Sequence, residues 1–174
     1  LHRFISGNDL SIKKVLKTNS PSMDIVISSN FERLIYDFIG SEKTKKLFSS
    51  IVKKNDNLLI GEEAHMKIQK FFKSGMANSS QVVEEIKKTF QDSKVILDPH
   101  TAVGVSVARS LNMKNICSLA CAHPIKFQKT VIESIGTDIP IFDKSLSFKN
   151  SERYDILDND YELFKKYIIK HAKP

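Results

Sequence analysis

Clustered glycine is missing from this chain. Gly7, Gly40, Gly61, Gly75, Gly104 and Gly136 stand apart from one another, so no phosphate-cradling loop is encoded. Cysteine is scarce too. Cys117 and Cys121 lie four residues apart in an apolar stretch. On a strand both would point to one side, too far apart for an easy disulfide. No second pair completes a zinc site. Such cysteine usage fits a reducing cytoplasm. No apolar run is long enough to span a bilayer, so no membrane is expected as a partner. Leu1 is followed at once by polar residues, and no secretory leader is expected.

What is present suits one domain of ordinary size, residues 1–174. Hydrophobic residues make up 41% and charged residues 27%, the balance of a soluble globular protein. The formal net charge is +7. A pI near 9.3 permits nucleic-acid binding. The lysines are scattered over what read as outer helix faces, and no aromatic residues interleave with them. Solvated helix faces therefore explain the charge, and nucleic acid is not the expected partner.

Helical periodicity dominates the first half. Ser29-Asn30-Phe31-Glu32 reads as a capping box with Ser29 as N-cap. Phe31, Leu34, Ile35, Phe38 and Ile39 follow at helical spacing, closed by Gly40. Further helices are expected at 41–52, at 63–73 and from Ser79 or Ser80 onward. Then the pattern changes. Val95-Ile96-Leu97 reads as a buried strand ended by Asp98 as N-cap and Pro99 at N1. "KNICSLACAHP" holds a nearly continuous apolar run, Ile116 to Ala122, the mark of a strand covered on both faces. Pro124 opens another helix, closed by Gly136, and Tyr161 to His171 forms a last one. Residues 95–135 thus read as strand, helix, strand, helix. Two strands make a poor sheet. The fold class expected is helix-rich α/β with an incomplete parallel sheet, a piece of a larger domain.

The reactive groups gather at two expected strand ends, "DPHT" (98–101) and "CAHP" (121–124). Ligands of open parallel sheets bind outside such ends. By spacing alone, Asp98 and His123 also read as helix caps and Cys121 as core packing. A metal held by Asp98, His100 and His123 matches no ligand spacing, and no metal is expected. Cys121 and His123 on one strand face would stand roughly 7 Å apart, beyond a hydrogen bond.

Three stretches in order, "SPSMDIVISSNFERL", "DPHTAVGVSVA" and "ACAHPIKF", resemble threonine synthase, in the C-terminal part of the branch found in bacteria and fungi. "NDLSIKKVLKTNSPSMDI" and "RYDILDNDYELFKKYIIKH" resemble the corresponding family segments, so the resemblance spans nearly the whole chain. It implies a pyridoxal-phosphate enzyme of the tryptophan-synthase-β-like fold, fold type II. Such a lyase of threonine biosynthesis converts O-phosphohomoserine and water to threonine and phosphate. It also implies that residues 1–174 are the C-terminal portion of the catalytic domain. The Schiff-base lysine and the phosphate cup would lie in an absent N-terminal half. Without a lysine to move protons the chain alone is expected to be inactive, with no cofactor bound.

One cofactor contact maps onto the chain. Cys121 stands where the family has a threonine facing the pyridine nitrogen, beside His123. A thiol is the weaker donor. Ile125 stands where the family usually has alanine. Ser22 and Asn30 map to the substrate wall, at a loop and a helix N-terminus; by position alone they equally satisfy a turn and a cap. Arg33 lies opposite the apolar stripe; it is placed to clamp a phosphate, but a surface or inter-lobe ion pair is the expected role. The expected partner is an N-terminal half of the same enzyme. Open strand edges predict self-association. An excised piece, half of a split enzyme and a gene remnant all account for the short chain. The alternative is a non-catalytic basic binding module, nucleic acid included, whose binding would weaken steeply with salt.

Overall fold

Phe31, Leu34, Ile35 and Phe38 wind into a helix over Phe31–Ile39 that buries Phe31 and Ile35. The structure, a computed structural model, describes residues 1–52, 59–112, 114–139 and 154–172. By their contacts the residues form two compact units, Leu1–Ile139 and Pro140–Pro174, each taken by itself.

The first unit runs α1 (His2–Gly7), a 3-10 turn (Pro21–Met23), α2 (Phe31–Ile39), α3 (Ser41–Val52), α4 (Glu62–Phe71), α5 (Ser79–Ser93), α6 (Pro99–Ser110), a second 3-10 turn (Pro124–Phe127) and α7 (Gln128–Ile135). The expected capping box at Ser29 is not what starts α2. Asn30 is the N-cap, in a helical conformation (φ −67°, ψ −19°), and its side chain caps nothing. The chain winds in through backbone bonds instead, Phe31 N–H to Ser28 O at 3.1 Å and Glu32 N–H to Ser29 O at 3.2 Å. The reciprocal box sits at α5: Asn78 Oδ1 accepts from Gln81 N at 2.9 Å and Gln81 Oε1 accepts from Asn78 N at 2.8 Å. Gly136 ends α7 with φ 71° and ψ 16°, a left-handed C-cap that suits a residue without Cβ.

Two apolar clusters hold the unit together. One gathers Phe4 and Ile5 of α1, Phe31 and Ile35 of α2, Ile60 and Ile68. Phe4 meets Phe31 edge to face, centroids 4.8 Å apart. His65 of α4 hydrogen-bonds the Phe4 carbonyl through Nε2 at 2.7 Å, so that nitrogen carries the proton. The other cluster joins Val82 and Ile86 of α5, Ala102 of α6, Val131 of α7 and Ile139. Here Glu85 is buried on α5 and receives Arg109 Nε of α6 at 2.9 Å and Thr89 Oγ1 at 2.9 Å. A buried carboxylate needs such partners.

The helix-rich half of the fold expectation stands; the incomplete parallel sheet does not. Among the described residues no segment is a strand. Val95–Leu97 and Ile116–Ala122 are non-helical and make no ladder bonds. A strand exists only through lateral partners, and a periodicity of side chains supplies none.

In the second unit, Asp160 caps α8 (Tyr161–His171) by accepting from Leu163 N at 2.9 Å. Tyr167 stacks on His171 with centroids 4.4 Å apart and donates its hydroxyl to Asp155.

Candidate functional site

The turn from α6's cap is where the motif segments meet. Asp98 precedes Pro99 and is almost wholly buried, at 1% exposure. Its Oδ2 accepts the His100 backbone N–H and His100 Nδ1, each at 2.9 Å. Its Oδ1 accepts the Thr101 hydroxyl, Thr101 N at 3.3 Å and Ala122 N at 3.2 Å. Burial pushes the Asp98 carboxyl up. Hydrogen bonds from Thr101, His100 and Ala122 outweigh burial and hold it below the ordinary carboxylate value. Asp98 is the helix cap that its position suggested, and it also ties down the loop bearing "CAHP".

Thr101 extends that tie. Its Oγ1 accepts the Cys121 backbone N–H at 2.9 Å while donating to Asp98. His100 reaches the other way: its Nε2 accepts the Ser22 backbone N–H at 3.2 Å. An amide N–H can only donate, so Nε2 is bare and the proton sits on Nδ1, facing Asp98. The Phe127 ring packs against the imidazole, centroids 4.7 Å apart. The "SPSM" turn, the "DPHT" cap and the "CAHP" loop are thereby joined around three side chains, Asp98, His100 and Thr101.

Of the four residues singled out from the sequence, Ser22 and Cys121 are brought to this knot, both by backbone N–H. His123 caps the second 3-10 turn, its Nδ1 accepting Ile125 N at 3.2 Å. Asn30 starts α2, and among the described residues no hydrogen bond ties it to the other three. Cys121 is exposed rather than packed in a core; its thiol reaches only the Leu119 carbonyl, at 3.7 Å. Arg33 is exposed, as its position on α2 predicts. The Thr101 hydroxyl was the missed residue. Its signal was a β-hydroxyl three positions after an Asp N-cap, a spacing that returns the side chain to the cap.

Beside the knot lies an open groove of about 440 Å³, lined in part by His100, Val107, Ile116, Cys117, Leu119 and Cys121. The segment from Ile116 to Cys121 is exposed throughout, with Leu119 at 80%. The expected cover on both faces is therefore absent from the described residues. A Cβ at Gly75 would lie 2.8 Å from Val107 Cγ1, and one at Gly104 would lie 3.3 Å from Ser118 Oγ. Bare backbone at both places lets the chain close on α6. Among the described residues no lysine lines the groove, and no cluster of three His, Cys, Asp or Glu could hold a metal. No described helix is long and apolar enough to cross a membrane.

The comparisons agree with this geometry. The family model "Threonine synthase, C-terminal" matches residues 101–168. A threonine synthase of Pseudomonas aeruginosa is 33% identical over 99% of this chain and 38% of its own length. A threonine synthase of Brucella melitensis, solved with pyridoxal phosphate bound, superposes with a TM-score of 0.76 at 29% identity, over 99% of this chain and 38% of that one. The yeast threonine synthase structure gives 0.69 at 29% identity, over 95% and 34%. The chain has the fold of one part of a larger enzyme, and it spans less than two fifths of the relatives named. That enzyme family is threonine synthase, and the chain corresponds to its C-terminal portion in sequence and fold. The comparisons lend no support to a basic binding module.

Proposed function

We propose that this chain supplies one wall of a threonine synthase active site, the rest of which lies in an N-terminal portion. The observation that carries this reading is the knot at Asp98, His100 and Thr101, which gathers the family-like segments beside an open groove. In the assembled enzyme the reaction is conversion of O-phosphohomoserine and water to threonine and phosphate. Pyridoxal phosphate, when bound, supplies the electron sink for that lyase chemistry.

The residues present fit one side of such a cofactor. Cys121 offers an exposed thiol where a weak, uncharged donor meets the ring nitrogen. Thr101 and Asp98 hold its backbone in place, and His123 shapes the loop that follows. Ser22 sits at the substrate side, on the turn that His100 holds; Asn30 contributes at the start of α2. Among the described residues no lysine lines the groove to move a proton, and on this reading the chain alone is inactive and binds the cofactor weakly. Its partner is the N-terminal portion, which carries that lysine and the phosphate cup. That portion covers Ile116 to Cys121 and supplies the lateral strands that a sheet there would need. Free thiols at Cys117 and Cys121 suit a cytoplasmic enzyme. Uncovered, the same segment drives self-association.

Titration with pyridoxal phosphate, followed by borohydride trapping, tests this reading. The chain alone should give no saturable adduct. Mixed with the N-terminal remainder of a threonine synthase, it should bind cofactor and release phosphate from O-phosphohomoserine. A saturable adduct at one lysine of the isolated chain would overturn the assignment.

A further inference from the structure

The Ser20–Asp24 turn is secured mainly to itself. Thr18 donates N–H and hydroxyl to the two Asp24 carboxylate oxygens, each at 2.7 Å, and Met23 N bonds Ser20 O at 2.9 Å. Among the described residues one hydrogen bond leaves the turn for another element: Ser22 N–H to His100 Nε2. Ser20 is buried within the turn, while Met23, its one apolar side chain besides Pro21, is exposed at the edge of the groove that His100 lines, and Ile25 and Val26 just after the turn are exposed too. Its one hydrogen bond outward therefore depends on the lone pair of a ring nitrogen, a place that a proton can also take.

We propose that His100 is a proton-gated positioning residue, which holds the Ser22 turn against the start of α6 when neutral and releases it when protonated. A proton taken from water adds to Nε2, the lone pair that accepts Ser22 N–H. Two donors then face each other and the bond is lost. Nδ1–H keeps its bond to Asp98, so the ring stays seated while the turn comes free. The groups facing the ring are few. Asp98 on α6 is the charged one; Phe127 packs from the second 3-10 turn; Cys117 and Cys121 line the same groove from the exposed segment. That the turn belongs to a substrate wall rests on the function proposed above. The latch itself does not.

The full chain with ring-¹⁵N histidine, without cofactor or substrate, tests the latch by NMR. At about pH 8, His100 should show the Nδ1–H tautomer and the Ser22 amide should be protected from exchange. As pH falls to about 5, the His100 ring shifts and the Ser22 amide should move with one midpoint, and protection beyond the intrinsic rate should drop roughly tenfold. In His100→Gln, which cannot take up a proton, the Ser22 amide should lose that pH dependence. An Nε2–H tautomer would overturn the proposal. So would a Ser22 amide indifferent to the His100 titration in the unsubstituted chain, whether or not His100→Gln folds. Failure of cofactor binding or phosphate release would sink the proposed function and leave this result untouched.

Discussion

The start of α6 and the segment from Ile116 to Cys121 lie against each other and meet water in opposite ways. Asp98, His100 and Thr101 are polar and buried; Ile116 and Leu119 are apolar and exposed. Availability of partners decides between them, not polarity. The cap supplies its own donors within four residues and borrows two more from Cys121 and Ala122. Burial of Asp98 thus leaves nothing unpaired. The apolar segment needs neighbouring surface on both faces, and the described residues leave it exposed.

Removing the carboxylate should break this contrast most severely. Asp98→Ala leaves the donors of His100, Thr101 and Ala122 without an acceptor in a buried place, and about 3 kcal/mol of stability should be lost. A urea midpoint read by circular dichroism checks it, and a loss within error would show that water takes over. Acid should act the same way by degrees. The folded state holds Asp98 below the ordinary value of 3.8. Its contribution is complete above that value and disappears as pH falls through the depressed folded value. Acid unfolding of Asp98→Asn should lack that component.

Thr101→Val keeps the shape and removes one hydroxyl. The Cys121 amide loses its acceptor, and about 1.5 kcal/mol should go. Faster hydrogen exchange at Cys121, with the α5 amides unchanged, would place the loss in the loop rather than in the core. Smallest in stability should be Leu119→Asp, within about 0.5 kcal/mol of the unsubstituted chain. It should nonetheless weaken self-association in sedimentation, since a charge replaces an uncovered apolar side chain. A large loss of stability there would mean that Leu119 is covered.

The legible parts of the fold were those that obey short-range rules. α3 and α8 match the expected 41–52 and 161–171 because amphipathic spacing marks a helix within its own length. Asp98-Pro99 marked the start of α6 because an Asx cap before proline is local chemistry. α1 was not legible: six residues show no period, and Phe4 makes it a helix by packing on Phe31 and His65. The wrong cap at α2 has the same origin. Ser29 and Glu32 have the right spacing, yet the backbone was already turning at Asn30. At the site, "DPHT" and "CAHP" were visible as clusters, but nothing in their spacing said that Thr101 would hold Cys121.

By itself the sequence determined the longer amphipathic helices, their faces, the Asp98 cap, the scarcity of reactive groups and the resemblance to threonine synthase, since each depends on residues within a few positions or on order along the chain. Tertiary structure alone decided that Ser22 and Cys121 meet at one knot, that His100 carries its proton on Nδ1, and that the apolar run after residue 115 stands in water. Those outcomes join residues 20 and 78 positions apart. Only folding sets which donor faces which acceptor at that range, and only a neighbouring surface can bury a strand.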